Sequence, residues 1–170
     1  PVKILRFNDD RIGVLKNDDN VVDVSGIIQY RAEKGPQRVM EEVIANFKDY
    51  RQEFERLCRE GSGFPLSVVK LLAPIPRPSK CLAAFVNYLD SPERTPETLP
   101  IEFFYKAPDF LGPEGTVELP DLPAVVVTQP EAELAFVVGL CGRDVPEAAA
   151  MDAVFGYVPF FDVSSRGMVR

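Results

Sequence analysis

The first part of the chain alternates short apolar stretches with polar turn signals. Apolar residues concentrate in VKILRF, RIGVLK and VVDV, and the segments NDD and NDDN lie between them. Asparagine and aspartate accept the backbone conformations of tight turns, so this alternation favours antiparallel hairpins. We expect two or three short strands here.

The pattern then changes to a helical period. Pro36 suits the first turn of a helix and Gly61 suits its end. Between them the apolar residues recur on roughly one stripe, as an amphipathic helix requires. They are Val39, Val43, Ile44, Phe47, Phe54 and Leu57. One structural helix is therefore predicted between Gly35 and Gly61.

A proline-rich segment divides the chain. LLAPIPRPSK holds Pro74, Pro76 and Pro78, which prevent a helix from continuing. We place a boundary there, between a small α+β domain over residues 1–73 and a strand-rich domain over residues 74–170. The fold class predicted for the chain is α+β and strand-rich.

The second domain reads as strands joined by polar and proline-rich loops. The loop SPERTPETLP has the composition of a surface loop and could serve as a mobile lid. The short stretch DVPEAAAMDAVFG reads as a helix closed by Gly156. The predicted strands are residues 80–86, 101–106 and 157–165, with residues 124–139 forming one strand or two.

Two carboxylates lie within the apolar run QPEAELAFVVGL. Alternate side chains of a strand share a face, so Glu131 and Glu133 point the same way. Asp162, in VPFFDVSS, is the other acid in a strongly apolar strand of this domain. Three such carboxylates on neighbouring strands would suit Mg²⁺ or Mn²⁺. The alternative is that the glutamates line a solvated strand face and Asp162 caps a turn.

Charge and composition narrow the chemistry. The formal net charge of −7 argues against nucleic acid as a partner. The absence of histidine excludes catalysis by a Ser-His-Asp or Cys-His group and His-ligated zinc within this sequence. The three cysteines lack metal-ligand spacing and are interpreted as small buried hydrophobes. With no run that could span a bilayer and no leader pattern, a cytoplasmic protein without membrane contact is expected.

Two basic residues are candidates for binding an anion. Lys106, in FFYKAP, is the basic residue of an apolar strand, and Arg166 follows the strand that holds Asp162. Either could contact the carboxylate of an acidic substrate. A lysine that extends from a strand end to solvent and a solvated loop arginine are the ordinary alternatives.

The order of motifs NY, FFYK, LGPEGT, PEAELAFVVG, VPEAAAMDAVFGY and FDVSSR resembles the fumarylacetoacetate hydrolase family. The resemblance extends from about Leu72 to Arg170, and the preceding segment is similar to the small N-terminal domain of many members. It implies a mixed β-roll, commonly dimeric. It also implies that Mg²⁺ or Mn²⁺ is bound by Glu131, Glu133 and Asp162.

The resemblance implies chemistry on C–C bonds or on the enol and keto forms of small 2-oxo acids and 1,3-diketones. Members include hydrolases, decarboxylases (lyases), isomerases and hydratases. Hydrolytic members carry N-Y-x-x-H-x-x-E, whereas this chain has NYLDSPER. Ser91 stands at the histidine position and Arg94 at the glutamate position, with Glu93 adjacent. Because serine alone cannot activate water near neutral pH, decarboxylation or tautomerisation is favoured over hydrolysis.

The residue pattern and the family resemblance together give the candidate site residues. Lys106, Ser91 and Glu93 are the catalytic candidates, and Lys106 and Arg166 the substrate-binding ones. Family members continue past the aspartate strand, so the catalytic domain is expected to extend beyond residue 170. A relative that binds metal or metabolite without turnover, as a regulatory or partner subunit, is the alternative function. A structural domain with no ligand is the third.

Overall fold

The computed structural model describes residues 1–28, 33, 35–119, 121, 122 and 125–167. These residues contain nine strands and three α-helices. They are β1 (Ile4–Phe7), β2 (Arg11–Lys16), β3 (Asn20–Asp23), α1 (Pro36–Ala45), α2 (Phe47–Glu60), β4 (Phe64–Pro65), β5 (Leu71–Leu72), β6 (Leu82–Ala84), β7 (Phe103–Tyr105), β8 (Val127–Val138), α3 (Glu147–Ala150) and β9 (Val154–Arg166).

The N-terminal residues form an antiparallel sheet of five strands in the order β4-β3-β2-β1-β5. The expected hairpins are present, with Ile4 opposite Val14 and Val14 opposite Val22. The turn between β2 and β3 has positive φ at Asn17 and Asp18, the residue types that tolerate this conformation best after glycine. Polar turn residues therefore set the register of the central strands.

The predicted single helix is two helices. α1 begins with Pro36 after Gly35, whose φ of +87° suits glycine. Asn46 ends α1 and precedes α2, with φ −110° and ψ 22°, outside helical geometry. Its side-chain amide donates to the Glu42 carbonyl, a local hydrogen bond that competes with helix continuation. The apolar spacing alone did not reveal this break.

The main core lies between the helices and one face of the sheet. Val43 and Phe54, both predicted to face inward, are fully buried. Met40 and Tyr50 belong to the same cluster, although they were not assigned to the apolar stripe. The strands contribute Ile12, Val14, Val22 and Val24. Hydrophobic burial between sheet and helices thus stabilises this part of the chain.

The second half is built from two antiparallel ribbons, β6 with β7 and β8 with β9. The long ribbon β8–β9 pairs Val127 with Arg166 at one end and Val138 with Val154 at the other. The predicted helix over residues 144–156 is shorter, since α3 spans Glu147–Ala150 and a 3₁₀ turn, Met151–Ala153, follows it. The strand prediction began at Ala124, which lies outside the described residues.

One end of the β8–β9 ribbon, where α3 connects the two strands, packs against α1 and α2. Phe155 packs edge-on against Phe47 of α2, with ring centroids 5.1 Å apart. A Cβ at Gly139 would lie 2.9 Å from Phe155 Cβ, so glycine permits the close approach of the two strands at this end of the ribbon. The strand-rich α+β prediction is confirmed. Within the described residues, no helix is long and apolar enough to cross a membrane.

Candidate metal centre

The β8–β9 ribbon brings the three predicted carboxylates together. Glu131 lies directly opposite Asp162, and Glu133 lies opposite Phe160. Facing residues of an antiparallel pair share one side of the sheet, and so do residues two apart on one strand. All three carboxylates therefore project from one face. One oxygen from each can be chosen so that all three lie within 4.8 Å of one another.

Asp162 is the most enclosed of the three carboxylates. Its residue is only 2% exposed, whereas Glu131 and Glu133 are half-buried. Neither Asp162 carboxylate oxygen has a hydrogen-bond partner among the described residues. Lys106 Nζ lies 2.5 Å from Oδ1 and forms an ion pair whose geometry is not that of a hydrogen bond. A buried carboxylate without hydrogen bonds destabilises the fold unless a ligand binds to it.

The half-buried Glu133 is electrostatically strained. Burial, followed by the negative charges of Asp162 and Glu131, raises its pKa above the usual value, and Lys106 opposes that change. Each cause except Lys106 disfavours the ionised form. A cation placed among the three carboxylates would remove the repulsion and favour ionised Glu133.

Two cations lie at the edges of the cluster. Lys106 is the residue after β7 and forms an ion pair with Asp162. Arg166 is at the end of β9 and forms an ion pair with Glu131. The sequence identified both as candidates for binding an anion but did not indicate that each would contact an acid of the predicted metal set. Each cation thus contacts one carboxylate of the cluster.

The donor set fits a hard divalent cation. Carboxylate oxygens are the ligands that Mg²⁺ and Mn²⁺ prefer, and oxygens around Mg²⁺ at about 2.1 Å are separated by about 3–4 Å. The separation of at most 4.8 Å is close to this requirement, so small side-chain rotations suffice. The under-satisfied Asp162 oxygens are the observation that favours a metal over a solvated strand face.

The loop between β6 and β7 carries the remaining candidates. Ser91 Oγ donates to Glu93 across 2.9 Å, and this bond lowers the pKa of the Glu93 carboxyl. Arg94, at the position of the family glutamate, pairs with Asp90. The described contacts of Ser91 and Glu93 are within this loop, so their approach to the carboxylates stays a prediction. The loop is tied to β8 by Tyr88, whose hydroxyl donates to the Ala132 carbonyl across 3.1 Å.

Sequence reasoning missed the surroundings of the site. The Lys106 amide donates to the Cys81 carbonyl, which extends the β6–β7 pairing. Burial raises the pKa of the Cys81 thiol, and the charge of Asp162 raises it further. On the same face of the ribbon as the carboxylates, Phe110 packs edge-on against Phe160 with ring centroids 5.6 Å apart. These contacts join segments that are distant in the sequence, and no local motif predicts them.

A comparison with known protein families gives a match over the second half of the chain. Residues 79–170 match the family described as fumarylacetoacetate (FAA) hydrolase C-terminal. This stretch is more than half of the chain, so the chain belongs to the fumarylacetoacetate hydrolase family. The resemblance seen in the motifs is confirmed.

Two curated relatives illustrate the range of the family. Maleylpyruvate hydrolase of Aquipseudomonas alcaligenes is 27% identical over 180 residues, covering 98% of this chain and 62% of the relative. A mitochondrial oxaloacetate tautomerase of Xenopus laevis is 39% identical over 103 residues, covering 59% of this chain and 32% of the relative. The chain spans less than two thirds of either relative's length.

Solved structures share the fold. Maleylpyruvate hydrolase from Sphingobium sp. SYK-6, in complex with manganese(II) ion and pyruvate, has a TM-score of 0.82 and 30% identity, with 98% of this chain and 60% of that chain covered. Fumarylacetoacetate hydrolase from the psychrophilic Exiguobacterium antarcticum has a TM-score of 0.68 and 26% identity, covering 97% of this chain and 57% of that chain. These similarities place the α+β fold within the family.

Proposed function

We propose that the protein is a divalent-metal-dependent enzyme acting on C–C bonds or on the enol and keto forms of a small 2-oxo acid or 1,3-diketone. The observation that carries this proposal is the cluster of Glu131, Glu133 and Asp162 on one ribbon face. The names of the relatives support the substrate class, since one is a maleylpyruvate hydrolase and another an oxaloacetate tautomerase.

The metal ligands in this proposal are Glu131, Glu133 and Asp162, with Mn²⁺ or Mg²⁺ as the cofactor. The manganese in the Sphingobium structure supports that choice. When bound, the cation would supply Lewis acidity at the oxo and carboxylate oxygens of the substrate. Lys106 and Arg166 would hold the substrate carboxylate by charge-assisted hydrogen bonds.

Proton transfer falls to the loop residues in this proposal. Glu93, a loop carboxylate that accepts a hydrogen bond from the Ser91 hydroxyl, is the residue we propose as the proton acceptor. Tautomerisation needs only the movement of a proton between carbon and oxygen, so no activated water is required. The serine at the family's histidine position therefore favours tautomerisation or decarboxylation over hydrolysis.

The alternative is a catalytically inactive relative that binds metal or metabolite and serves as a regulatory or partner subunit. Ser91 in place of the family histidine supports it. We also propose, from the family resemblance, that the protein is a homodimer, which light scattering on the intact protein tests. The two-domain division and the cytoplasmic location stay predictions.

Turnover by the intact protein distinguishes the two functions. Oxaloacetate enol–keto exchange and maleylpyruvate hydrolysis would be followed with Mn²⁺ and with EDTA, and Mn²⁺ alone would give the background. We expect exchange above background with Mn²⁺, its loss in EDTA and in Glu133→Gln, and little hydrolysis. Glu118→Gln, at an exposed glutamate that is not one of the three clustered carboxylates, is the matched control. Metal binding without turnover of either substrate would support the inactive relative.

A further inference from the structure

We propose that Lys106 competes with the divalent cation for Asp162, and that displacement of its ammonium couples metal binding to the binding of an anionic substrate. This inference rests on the function proposed above, because it needs a cation at the three carboxylates. It assigns to Lys106 a role in controlling metal affinity in addition to contact with substrate.

The contact between Lys106 and Asp162 is the first support. Nζ lies 2.5 Å from Oδ1, and no described residue donates a hydrogen bond to either Asp162 oxygen. The lysine is therefore the group that neutralises this buried acid. A dication held by the same carboxylate would repel the ammonium at short range, where charges interact strongly because the site is partly shielded from water.

The mobility of the lysine is the second support. Asp162 has a side chain only 1% exposed and is held within β9, whereas the Lys106 side chain is 26% exposed and extends from the end of β7. Lysine has a long flexible stem and three rotatable donors, so its ammonium can leave Asp162 without disturbing the strand. In this proposal the Asp162 carboxylate stays in place and the Lys106 ammonium moves.

The charge balance gives the displaced ammonium a destination. Three carboxylates face two cations, Lys106 and Arg166, which leaves one net negative charge. A dication changes this to one net positive charge. The loaded site then attracts an acid anion, and Lys106, released from Asp162, can pair with the carboxylate of that anion.

Metal binding and anion binding should therefore strengthen each other. Metal binding alone breaks the Lys106–Asp162 pair, but metal binding with an anion present gives the ammonium a new partner. By linkage, the anion must strengthen metal binding by the same factor as the metal strengthens anion binding. A variant with a neutral residue at position 106 should therefore bind metal more tightly than wild type when no anion is present. Its metal affinity should also increase less when the anion is added.

Calorimetric titration of the intact protein with Mn²⁺, with and without oxalate, tests this inference. Oxalate is a dianion that chelates like a 2-oxo acid and does not turn over. The variants are Lys106→Met, Lys106→Gln in case the methionine variant does not fold, and Lys106→Arg, which keeps the charge. Lys70→Met removes an exposed lysine from the N-terminal sheet region as the control.

We expect Lys106→Met or Lys106→Gln to bind Mn²⁺ about tenfold more tightly and the oxalate effect to fall by about the same factor, within the usual range of coupling between sites. Lys106→Arg and Lys70→Met should keep the wild-type pattern. Weaker or unchanged Mn²⁺ affinity in the neutral variants, or undiminished oxalate coupling, would overturn the inference and leave Lys106 as a residue that orients Asp162. Wild-type protein that binds no Mn²⁺ would overturn the proposed function as well.

Discussion

The N-terminal sheet and the β8–β9 ribbon are built from similar alternating sequences but bury different things. The sheet buries apolar side chains under α1 and α2, and Phe54 is 0% exposed. The ribbon half-buries the face that carries the carboxylates. The opposite apolar face is exposed, with Phe136 at 61% and Phe161 at 69%.

The difference separates stability from chemistry. A well-packed core stabilises the sheet, whereas the ribbon holds three carboxylates near one another, two of which raise the pKa of Glu133. Grouped like charges destabilise a fold unless a ligand neutralises them. Changes in the sheet should therefore lower stability, and changes in the ribbon face should alter ligand response.

The largest expected effect is on stability and lies in the sheet. Phe54→Ala removes a buried ring and should lower the free energy of unfolding by about 3–5 kcal/mol. Phe136→Ala, the matched change on the ribbon, should lower it by less than about 1 kcal/mol, because the ring is mostly exposed. Urea unfolding of both variants measures the two values. A similar loss in both would show that the ribbon's apolar face is covered in solution.

A smaller effect is expected at Glu133 in metal-free protein. Its pKa is raised in the fold, so its contribution to stability is present below the ordinary glutamate pKa and lost as pH rises through the raised value. Glu133→Gln should therefore become more stable than wild type as pH rises from about 4 to 7, by less than about 1 kcal/mol.

Urea unfolding in EDTA at several pH values measures this difference. Glu118→Gln has the same change of side chain at an exposed position and should show little pH-dependent gain. A Glu133→Gln variant that is less stable than wild type at every pH would contradict the electrostatic account of the ribbon.

The smallest expected effect is on thiol reactivity. Burial and the charge of Asp162 raise the pKa of Cys81, whereas Cys141 is exposed. Iodoacetamide should label Cys141 first, since the thiolate is the reactive form and must be accessible. Mn²⁺ should speed labelling of Cys81 about two- to threefold, because the cation offsets the charges that raise its pKa. Mass spectrometry reads both rates, and an unchanged Cys81 rate would place the cation elsewhere.

The sequence predicted the parts that depend on local patterns. Hairpins followed from Asn17 and Asp18, and the shared face of Glu131 and Glu133 followed from strand alternation. The motif order also identified the family. The break at Asn46 was missed because the apolar spacing continues through it, and the side-chain hydrogen bonds from Asn46 to Glu42 leave no mark in that spacing.

The contacts that complete the site depend on pairing between distant segments. Lys106 reaches Asp162 only because β7 and β9 lie near one another, and Cys81 joins them through the pairing of β6 with β7. Neither proximity has a period or a spacing in the sequence. The roles of Ser91 and Glu93 stay predictions for the same reason.

The measurement that tests the central claim most directly is a thermal-shift titration of the intact protein with Mn²⁺. Wild type would be compared with Glu131→Gln/Glu133→Gln and with Glu102→Gln/Glu118→Gln, which makes the same charge change at exposed positions. We predict that Mn²⁺ raises the melting temperature of wild type and of the control, and that the ribbon variant does not respond. Equal responses in all three proteins would contradict the assignment of the three carboxylates as a metal site.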